Sequence, residues 1–226
     1  MNHSTYLVAG IIGSFALSTC ALIILPQVQL GGMQPQFADD EGKIADIYPI
    51  ENRGMQAGRA VYISEGCVYC HSQQVRDEQN GTDLERGWGV RRTVARDYLF
   101  ESPPLLGSTR IGPDLANVGS AKWRNEPADE SPEFKPAKRD AAWQLLHLYA
   151  PRTIVKESNM PAYRSLFEKR RISGERSADA LNVPTEDGYE IVPKPDAKVL
   201  VAYLLSLDKS HALKEVKTAT PEVAAK

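Results

Sequence analysis

No charged residue occurs before Asp39, and the 21 residues from Thr5 to Leu25, TYLVAGIIGSFALSTCALIIL, are almost entirely apolar. An α-helix of this length spans roughly 31 Å, close to the hydrocarbon thickness of a bilayer. Because that layer offers no water, the backbone must satisfy its own hydrogen bonds, which a helix does. We therefore predict a single transmembrane helix over about 5–25, ended by Pro26.

This segment could instead be removed or modified during export. A secretory signal peptide has a basic start and a small-residue cleavage site. This chain begins MNHS, without Lys or Arg, and the residues after Pro26 offer no such site. A lipoprotein signal through LSTC would place the bulky Thr19 before the modified Cys20. We therefore expect a retained anchor, although Lys and Arg are too sparse at its flanks to orient it.

The rest of the 226-residue chain has room for one small domain. A formal net charge of −2 gives no reason to expect nucleic acid as a partner. We divide the chain into an anchor with its linker over 1–38, a domain over 39–208 and a tail over 209–226. The tail has little apolar content, so we expect it to be disordered.

The domain has the sequence pattern of a small helical fold. Gly66 ends the first predicted helix, and Gly58 is expected to meet Tyr203 where the first and last helices cross. Two charged, Pro-rich stretches are predicted to be surface loops. The helices are predicted over 52–65, 140–149 and 196–207, and the loops over 124–140 and 175–195.

The motif CVYCH, residues 67–71, is compatible with three kinds of chemistry. A structural zinc site needs about four ligands, and the chain has no second cysteine pair. A thioredoxin-like dithiol needs a βαβ context, which is missing before Gly66. A haem c would be attached through thioether bonds at Cys67 and Cys70, with His71 as an axial iron ligand. One helical turn brings these three side chains to one porphyrin edge, so we favour a single covalent haem.

A second axial ligand must come from elsewhere in the chain. Met160 lies in ESNMPAY, where the following proline stiffens the backbone. His147 lies on a predicted helix and would give a bis-His iron, the alternative that stays open. We favour Met160, and a thioether ligand raises the reduction potential. The full set of candidates is Met33, Met55, Met160, His147 and His211.

Two further residues are candidate contacts of the haem site. The Pro113 carbonyl, in RIGPDLANVG, is placed to accept a hydrogen bond from the ring of His71, as metal-bound histidines commonly require. An ordinary turn before a helix N-cap at Asp114 explains the same spacing. Arg152 is a candidate partner of a haem propionate, because a guanidinium forms paired bonds to carboxylates. A solvated surface arginine is the alternative.

Together these features predict a mainly α fold, with one transmembrane helix followed by a class I cytochrome c-like haem domain with long irregular loops. Four segments resemble subunit II of cbb3-type cytochrome c oxidase, the mono-haem membrane-anchored cytochrome. They are the N-terminal anchor, YISEGCVYCHSQQVR (62–76), LLGSTRIGPDLANVG (105–119) and LLHLYAPRTIVKESNMPAY (145–163). Val68, Gln74, the charged insertion at 124–139 and the sequence AYRSLF depart from the family's pattern.

The resemblance implies thioether sites at Cys67 and Cys70, with His71 and Met160 as axial ligands. It also implies a bacterial cytoplasmic membrane location, with the N-terminus in the cytoplasm and the haem domain in the periplasm. Electrons would pass from a donor cytochrome c, or a further cytochrome c subunit, through this haem to a multi-span haem-copper catalytic subunit. We expect no O2-reducing site on this chain.

Other functions fit the layout of an anchor and one haem. The cytochrome subunit of nitric oxide reductase has the same layout, and a stand-alone anchored shuttle would need no obligate partner. A haem gas sensor would have an open distal site, which Met160 argues against. The combined GPDL and SNMPAY segments favour the oxidase.

Overall fold

The computed structural model describes residues 3–37, 47–120 and 139–216. Within these ranges one helix, α1 (His3–Leu30), is long and apolar enough to cross a membrane. It has 28 residues, and none of its apolar side chains is buried against the protein. The predicted apolar helix is therefore present. The charged insertion at 124–139 lies almost wholly outside the described residues, as do the predicted boundary at 38/39 and residues 217–226 of the tail.

The prediction that Pro26 ends this helix is wrong, since α1 continues to Leu30. The segment Cys20–Ile24 just before the proline is a π-helical turn. A proline lacks an N–H and crowds the carbonyl four residues earlier. A π turn changes the local hydrogen-bond pattern and is one of the ways in which a helix accommodates such an interruption.

The chain forms two compact units, of which the first comprises 1–50 and 94–102. In this unit, α1 is followed by a short antiparallel pair, β1 (Gln36–Phe37) and β2 (Ile47–Tyr48). The Tyr48 hydroxyl donates to the buried Asp97 carboxylate at 2.7 Å. Asp97 also accepts from the backbone N–H of Val94 at 2.8 Å, which stabilises the 3₁₀ turn Ala95–Tyr98.

The second unit, 51–93 and 103–226, contains the remaining helices and one hairpin. The predicted helices are present, with ends within a few residues of the expected ones, and Asp140 caps the second by accepting from the Trp143 N–H at 3.0 Å. The mainly helical fold class is confirmed. The elements are α2 (Gln56–Ser64), α3 (Ala141–Tyr149), α4 (Pro151–Ile154), β3 (Phe167–Arg171), β4 (Tyr189–Pro193) and α5 (Pro195–Ser206).

Helices α2 and α5 cross at Gly58, as predicted. A Cβ at Gly58 would lie 2.6 Å from the Tyr203 Cβ and would overlap the Val199 carbonyl, so only glycine fits. One turn later the rings of Tyr62 and Tyr203 meet edge to face with centroids 5.5 Å apart. The Tyr203 hydroxyl reaches the fully buried Gln73, just beyond CVYCH, with donor–acceptor distances of 3.2–3.3 Å. The crossing therefore anchors the motif to the core.

The largest hydrophobic core cluster joins α2, α5 and β4 to the cysteine motif. Cys67 belongs to it directly, and Met160 packs against it from outside. Its buried residues are Tyr62, Cys67, Leu105, Val118, Leu148, Leu166, Phe167, Leu181, Ile191, Ala197, Leu200, Val201, Tyr203, Leu204 and Leu207.

Strands β3 and β4 pair antiparallel, with Phe167 opposite Pro193 and Arg171 opposite Tyr189. The predicted irregular loop at 175–195 therefore contains a strand. Ile191 and Val192 are buried and fill the core, which explains why a segment with charged, Pro-rich flanks becomes ordered. Glu190 is also buried and accepts from the Arg170 guanidinium at 2.9 Å.

The first part of the predicted tail packs against this second unit. The Lys209 N–H donates to the Asn117 side chain at 2.8 Å, and Leu213 is buried. The backbone carbonyl of His211 accepts from Arg91 at 2.6 Å. Residues 209–216 are thus fixed by polar contacts that their low apolar content does not reveal.

Candidate haem site

The turn after α2 brings the two cysteines and the histidine of CVYCH together. Gly66 has a φ of 74°, a left-handed conformation that suits glycine, and ends the helix. The chain then forms a 3₁₀ turn in which the N–H groups of Cys70 and His71 both donate to the Cys67 carbonyl, at 3.1 and 2.9 Å. Cys67 is buried and Cys70 is half-buried, and neither forms a disulfide. Two thiols and an imidazole therefore share one turn.

The surroundings of the cysteines do not suit a redox dithiol or a zinc site. Burial raises the pKa of Cys67 to about 11, so this thiol stays neutral, whereas redox-active cysteines have lowered pKa values. Among the described residues, no three His, Cys, Asp or Glu side chains converge to hold a metal ion. A ligand set for zinc is thus missing from the described part of the chain.

The imidazole of His71 is fixed by the segment that carries Pro113. Its Nδ1 lies 2.8 Å from the Pro113 carbonyl oxygen. A carbonyl can only accept, so Nδ1 carries the proton and donates, which leaves the Nε2 lone pair available to a metal. Burial lowers the pKa of His71, which also favours the neutral ring. The structure therefore brings together the two residues that the sequence paired.

A glycine makes room for that ring. A Cβ at Gly112 would lie 2.7 Å from the His71 Nδ1 and closer still to Cε1. The Gly112 N–H also donates to the Cys70 carbonyl at 3.0 Å. Any larger residue at 112 would push the imidazole away, so the glycine of GPDL is explained by the close approach of the backbone to the ring.

Asp114 ties the same segment to the residues after His71. Its carboxylate accepts from the Ser72 hydroxyl at 2.6 Å and from the Gln74 N–H at 2.8 Å. It also accepts from the Ala116 N–H at 2.8 Å, in a turn rather than a helix N-cap. Burial raises the pKa of Asp114 in spite of these bonds. The segments 71–74 and 112–116 are thereby held as one unit.

A second buried carboxylate, which the sequence did not reveal, supports this unit. Asp83 is fully buried and accepts from the guanidinium groups of Arg76 and Arg110. Arg110 also donates to the Gln74 carbonyl and lies over the Trp88 ring, 5.9 Å from its centroid. Although burial opposes ionisation, the hydrogen bonds from both arginines hold the pKa of Asp83 below its ordinary value. Charges of both signs follow CVYCH over residues 76–86, but this pattern does not mark Asp83 as buried.

Met160 lies on the loop between α4 and β3. Its side chain is half-buried and packs against the cluster that contains Cys67. The Tyr163 N–H donates to the Leu148 carbonyl at 2.8 Å, which holds the end of the loop against α3. Burial raises the pKa of Tyr163 to about 12, with smaller contributions from Cys67 and Cys70. The SNMPAY loop is therefore close to the two cysteines.

Arg152 contacts the Met160 loop from α4. Its Nε donates to the Ser158 carbonyl at 3.1 Å, and the Met160 N–H donates to the Ser158 hydroxyl at 3.2 Å. The Arg152 side chain is otherwise exposed to solvent. The structure thus gives this arginine a partner in the loop in addition to the propionate contact predicted for it.

His147, the alternative ligand, is in a different environment from His71. Its ring stacks on Trp143 with centroids 4.8 Å apart and an angle of 9° between the planes. Its Nδ1 is buried and finds no hydrogen-bond partner in the described ranges. Burial is the main cause that lowers its pKa to about 4. A metal-bound histidine usually has its second nitrogen held, so His71 fits a ligand better than His147.

The residues present fit a covalently attached haem. Two thiols on one turn suit two thioether links, and an Nε2 lone pair beside them suits one axial bond. Met160 supplies a half-buried thioether, a soft ligand for iron, near the same cysteines. Met55 also packs against the core, from the 3₁₀ turn before α2, and offers a second thioether twelve residues before Cys67.

A comparison with protein families supports this interpretation. A family model described as cytochrome c oxidase, mono-haem subunit/FixO, matches residues 13–130, a little over half of the chain. The match includes most of α1, the CVYCH motif and the Pro113 segment. A comparison with curated proteins found no match.

The chain belongs to the family of mono-haem subunits of cytochrome c oxidase, FixO. The resemblance stated from the sequence motifs is confirmed. Membership makes the chain a membrane-bound, haem-carrying component of electron transport, within an oxidase complex that has a catalytic subunit. The family match ends at residue 130, so it does not include Met160.

Proposed function

We propose that this protein is the electron-transfer subunit of a cbb3-type, haem-copper cytochrome c oxidase in aerobic respiration. It takes electrons from a donor cytochrome c, or from a further cytochrome c subunit, and passes them to the multi-span catalytic subunit. One haem c, attached through Cys67 and Cys70, supplies the one-electron iron couple for this transfer. The chain itself reduces no O2.

The observation that carries the proposal is the orientation of His71 beside the two cysteines. The Pro113 carbonyl holds the proton on Nδ1, so the free lone pair of the ring is on Nε2, the other ring nitrogen. The family match supplies the oxidase context for this motif. Metal-binding histidines are commonly held in this way by a backbone carbonyl.

Each residue of the site has a proposed role. His71 and Met160 are the axial iron ligands, and the Met160 thioether raises the reduction potential relative to a bis-His site. Pro113 fixes the tautomer of His71. Arg152 pairs with a haem propionate through its terminal nitrogens, because only its Nε is used by Ser158. The core around Cys67 excludes water from the site.

The membrane topology follows from the covalent cofactor. We place α1 in a bacterial cytoplasmic membrane as a single span, with the N-terminus in the cytoplasm and the haem domain in the periplasm. The support is the apolar helix near the N-terminus, together with the family's membrane location. A reporter fused after Lys226 would be active only on the periplasmic side, and cytoplasmic activity would contradict this orientation.

The proposal is tested by expressing the full chain with an intact haem-maturation system. On a denaturing gel the protein should keep peroxidase-active haem stain, and Cys67→Ala with Cys70→Ala should abolish it. Purification of the membrane complex should recover a multi-span haem-copper subunit and O2 consumption driven by a reduced donor cytochrome. Haem-free wild-type protein, or a complex that reduces NO but not O2, would overturn the assignment.

A further inference from the structure

Arg152 and Ser158 connect a buried helix to the backbone of Met160. Arg152 lies on α4, whose Pro151 and Ile154 are buried. Its Nε donates to the Ser158 carbonyl at 3.1 Å. The Ser158 hydroxyl accepts from the Met160 N–H at 3.2 Å. Two hydrogen bonds therefore link a fixed helix to the residue that carries the thioether.

We propose that Arg152 is a positioning residue that holds the Met160 sulfur in place for the iron, acting through Ser158. This inference rests on the proposed function, in which Met160 is an axial ligand. It adds a role that the family match does not provide, because that match ends at residue 130.

The loop needs such a contact because few other interactions hold it in place. The side chains of Lys156, Glu157, Asn159 and Pro161 are exposed, so they add little packing energy. The Ser158 N–H donates to the Val155 carbonyl at 3.0 Å, which closes a turn within the loop itself. The Val155 N–H donates to the Pro151 carbonyl of α4 at 2.9 Å, and Arg152 adds a side-chain bond from the same helix to the far end of this turn.

The Nε atom separates this role from propionate binding. In Arg152→Gln the amide nitrogen occupies the same position along the side chain as Nε, so the donor to Ser158 is kept while the charge and the terminal nitrogens are lost. Arg152→Leu has a similar volume and loses the donor as well. The pair therefore distinguishes a hydrogen bond to Ser158 from an ionic contact with a propionate.

Arg164 provides a matched control for charge. It is an exposed arginine just beyond Met160, with its guanidinium 5.5 Å from the centroid of the Tyr149 ring. Arg164→Leu removes one positive charge near the same loop and leaves the contact between Arg152 and Ser158 intact. Each variant is prepared as the full-length, haem-loaded chain.

The experiment measures how readily added imidazole displaces the thioether, followed by loss of the sulfur-to-iron absorption band of the oxidised protein. A hydrogen bond contributes about 1 kcal/mol, so Arg152→Leu should strengthen imidazole binding about fivefold. Arg164→Leu should stay within about twofold of wild type, which corresponds to less than half of that energy, and Arg152→Gln should lie closer to wild type than to Arg152→Leu.

Three results would overturn the inference. Arg152→Leu could match wild type, Arg152→Gln could behave like Arg152→Leu, or Arg164→Leu could have an equal effect. In each of these cases the wild-type band is present, so the proposed axial role of Met160 survives. A wild-type protein that carries haem but lacks the band would instead remove the ligand assignment, and the inference with it.

Discussion

His71 and Met160 stand 89 residues apart in the sequence and are fixed by different means. Around His71, the Pro113 carbonyl accepts from the ring, and the Gly112 backbone lies close against it. The Asp114 carboxylate ties the same segment to Ser72. Around Met160, the loop is largely exposed and is fastened by hydrogen bonds at Ser158 and Tyr163. The side of the proposed site that carries His71 is thus rigid, and the side that carries Met160 is lightly held.

This difference separates two tasks. In the proposed function, covalent attachment and the axial bond from His71 need pre-organised atoms, because a misplaced ring would fail at maturation. The proposed axial bond from Met160 would set the reduction potential and would be the one that can be exchanged. The following predictions test this division, from the largest expected effect to the smallest.

His71→Ala should abolish stable haem-loaded protein, since the rigid side has no second imidazole at the same turn. The measurement is haem stain on a denaturing gel together with the reduced absorption spectrum. His211→Ala is the control, because the contact of His211 with Arg91 uses its backbone carbonyl. A normal reduced absorption spectrum in His71→Ala would contradict the proposed role of His71 as an axial ligand on the rigid side.

Met160→Ala should keep the haem attached but lose the whole sulfur-to-iron band and lower the reduction potential. The reason is that the lightly held side supplies only the exchangeable ligand. Met55→Ala, which removes a thioether packed against the same core, is the matched control. Spectroelectrochemical titration measures both properties, and an intact band in Met160→Ala would transfer the ligand role to another residue.

Gly112→Ala should displace the imidazole or the 112–116 segment, at a cost of about 1–3 kcal/mol. A Cβ there would lie 2.7 Å from the His71 Nδ1, whereas at Gly54 the nearest atom would be 3.8 Å away. Gly54→Ala is therefore the control. Thermal unfolding and haem content of both variants measure the effect. Equal stability of the two variants would contradict the close packing of residue 112 against the His71 ring.

The buried Asp83 should give the rigid side an acid-sensitive contribution to stability. Its pKa is below the ordinary value when folded, so its stabilisation is present above that ordinary value and disappears as the pH falls through the folded pKa. Asp83→Asn should cost up to about 3 kcal/mol at neutral pH and flatten this pH dependence. Denaturant unfolding at several pH values measures it, with the exposed Glu78→Gln as control. An unchanged pH profile in Asp83→Asn would contradict the prediction.

The sequence predicted those parts of the site that depend on short spacings. CVYCH fixes its three residues within one turn, and the glycine and proline of GPDL mark a backbone approach. The crossing of Gly58 and Tyr203 followed from two helical patterns. These signals depend on short sequence spacings, or on residue types such as glycine and proline that have a characteristic structural role.

The missed features depend on tertiary contacts. The cluster of Asp83, Arg76 and Arg110 joins residues that resemble ordinary surface charges in the sequence. The bond from Arg152 to Ser158 is accepted by a backbone carbonyl. Every residue has such a carbonyl, so the residue type at 158 does not predict the bond. Strand β4 was hidden because its charged, Pro-rich flanks favoured a loop, while burial of Ile191 and Val192 favours a strand.

The continuation of α1 beyond Pro26 makes this helix longer than the hydrocarbon layer of a bilayer is thick. A 28-residue helix measures roughly 42 Å, about 12 Å more than the hydrocarbon layer. With Thr5–Leu25 filling that layer, the last turn, which includes Gln27 and Gln29, stands among the lipid headgroups. The helix therefore continues for about one turn past the apolar stretch and ends in a segment that carries two polar glutamine side chains.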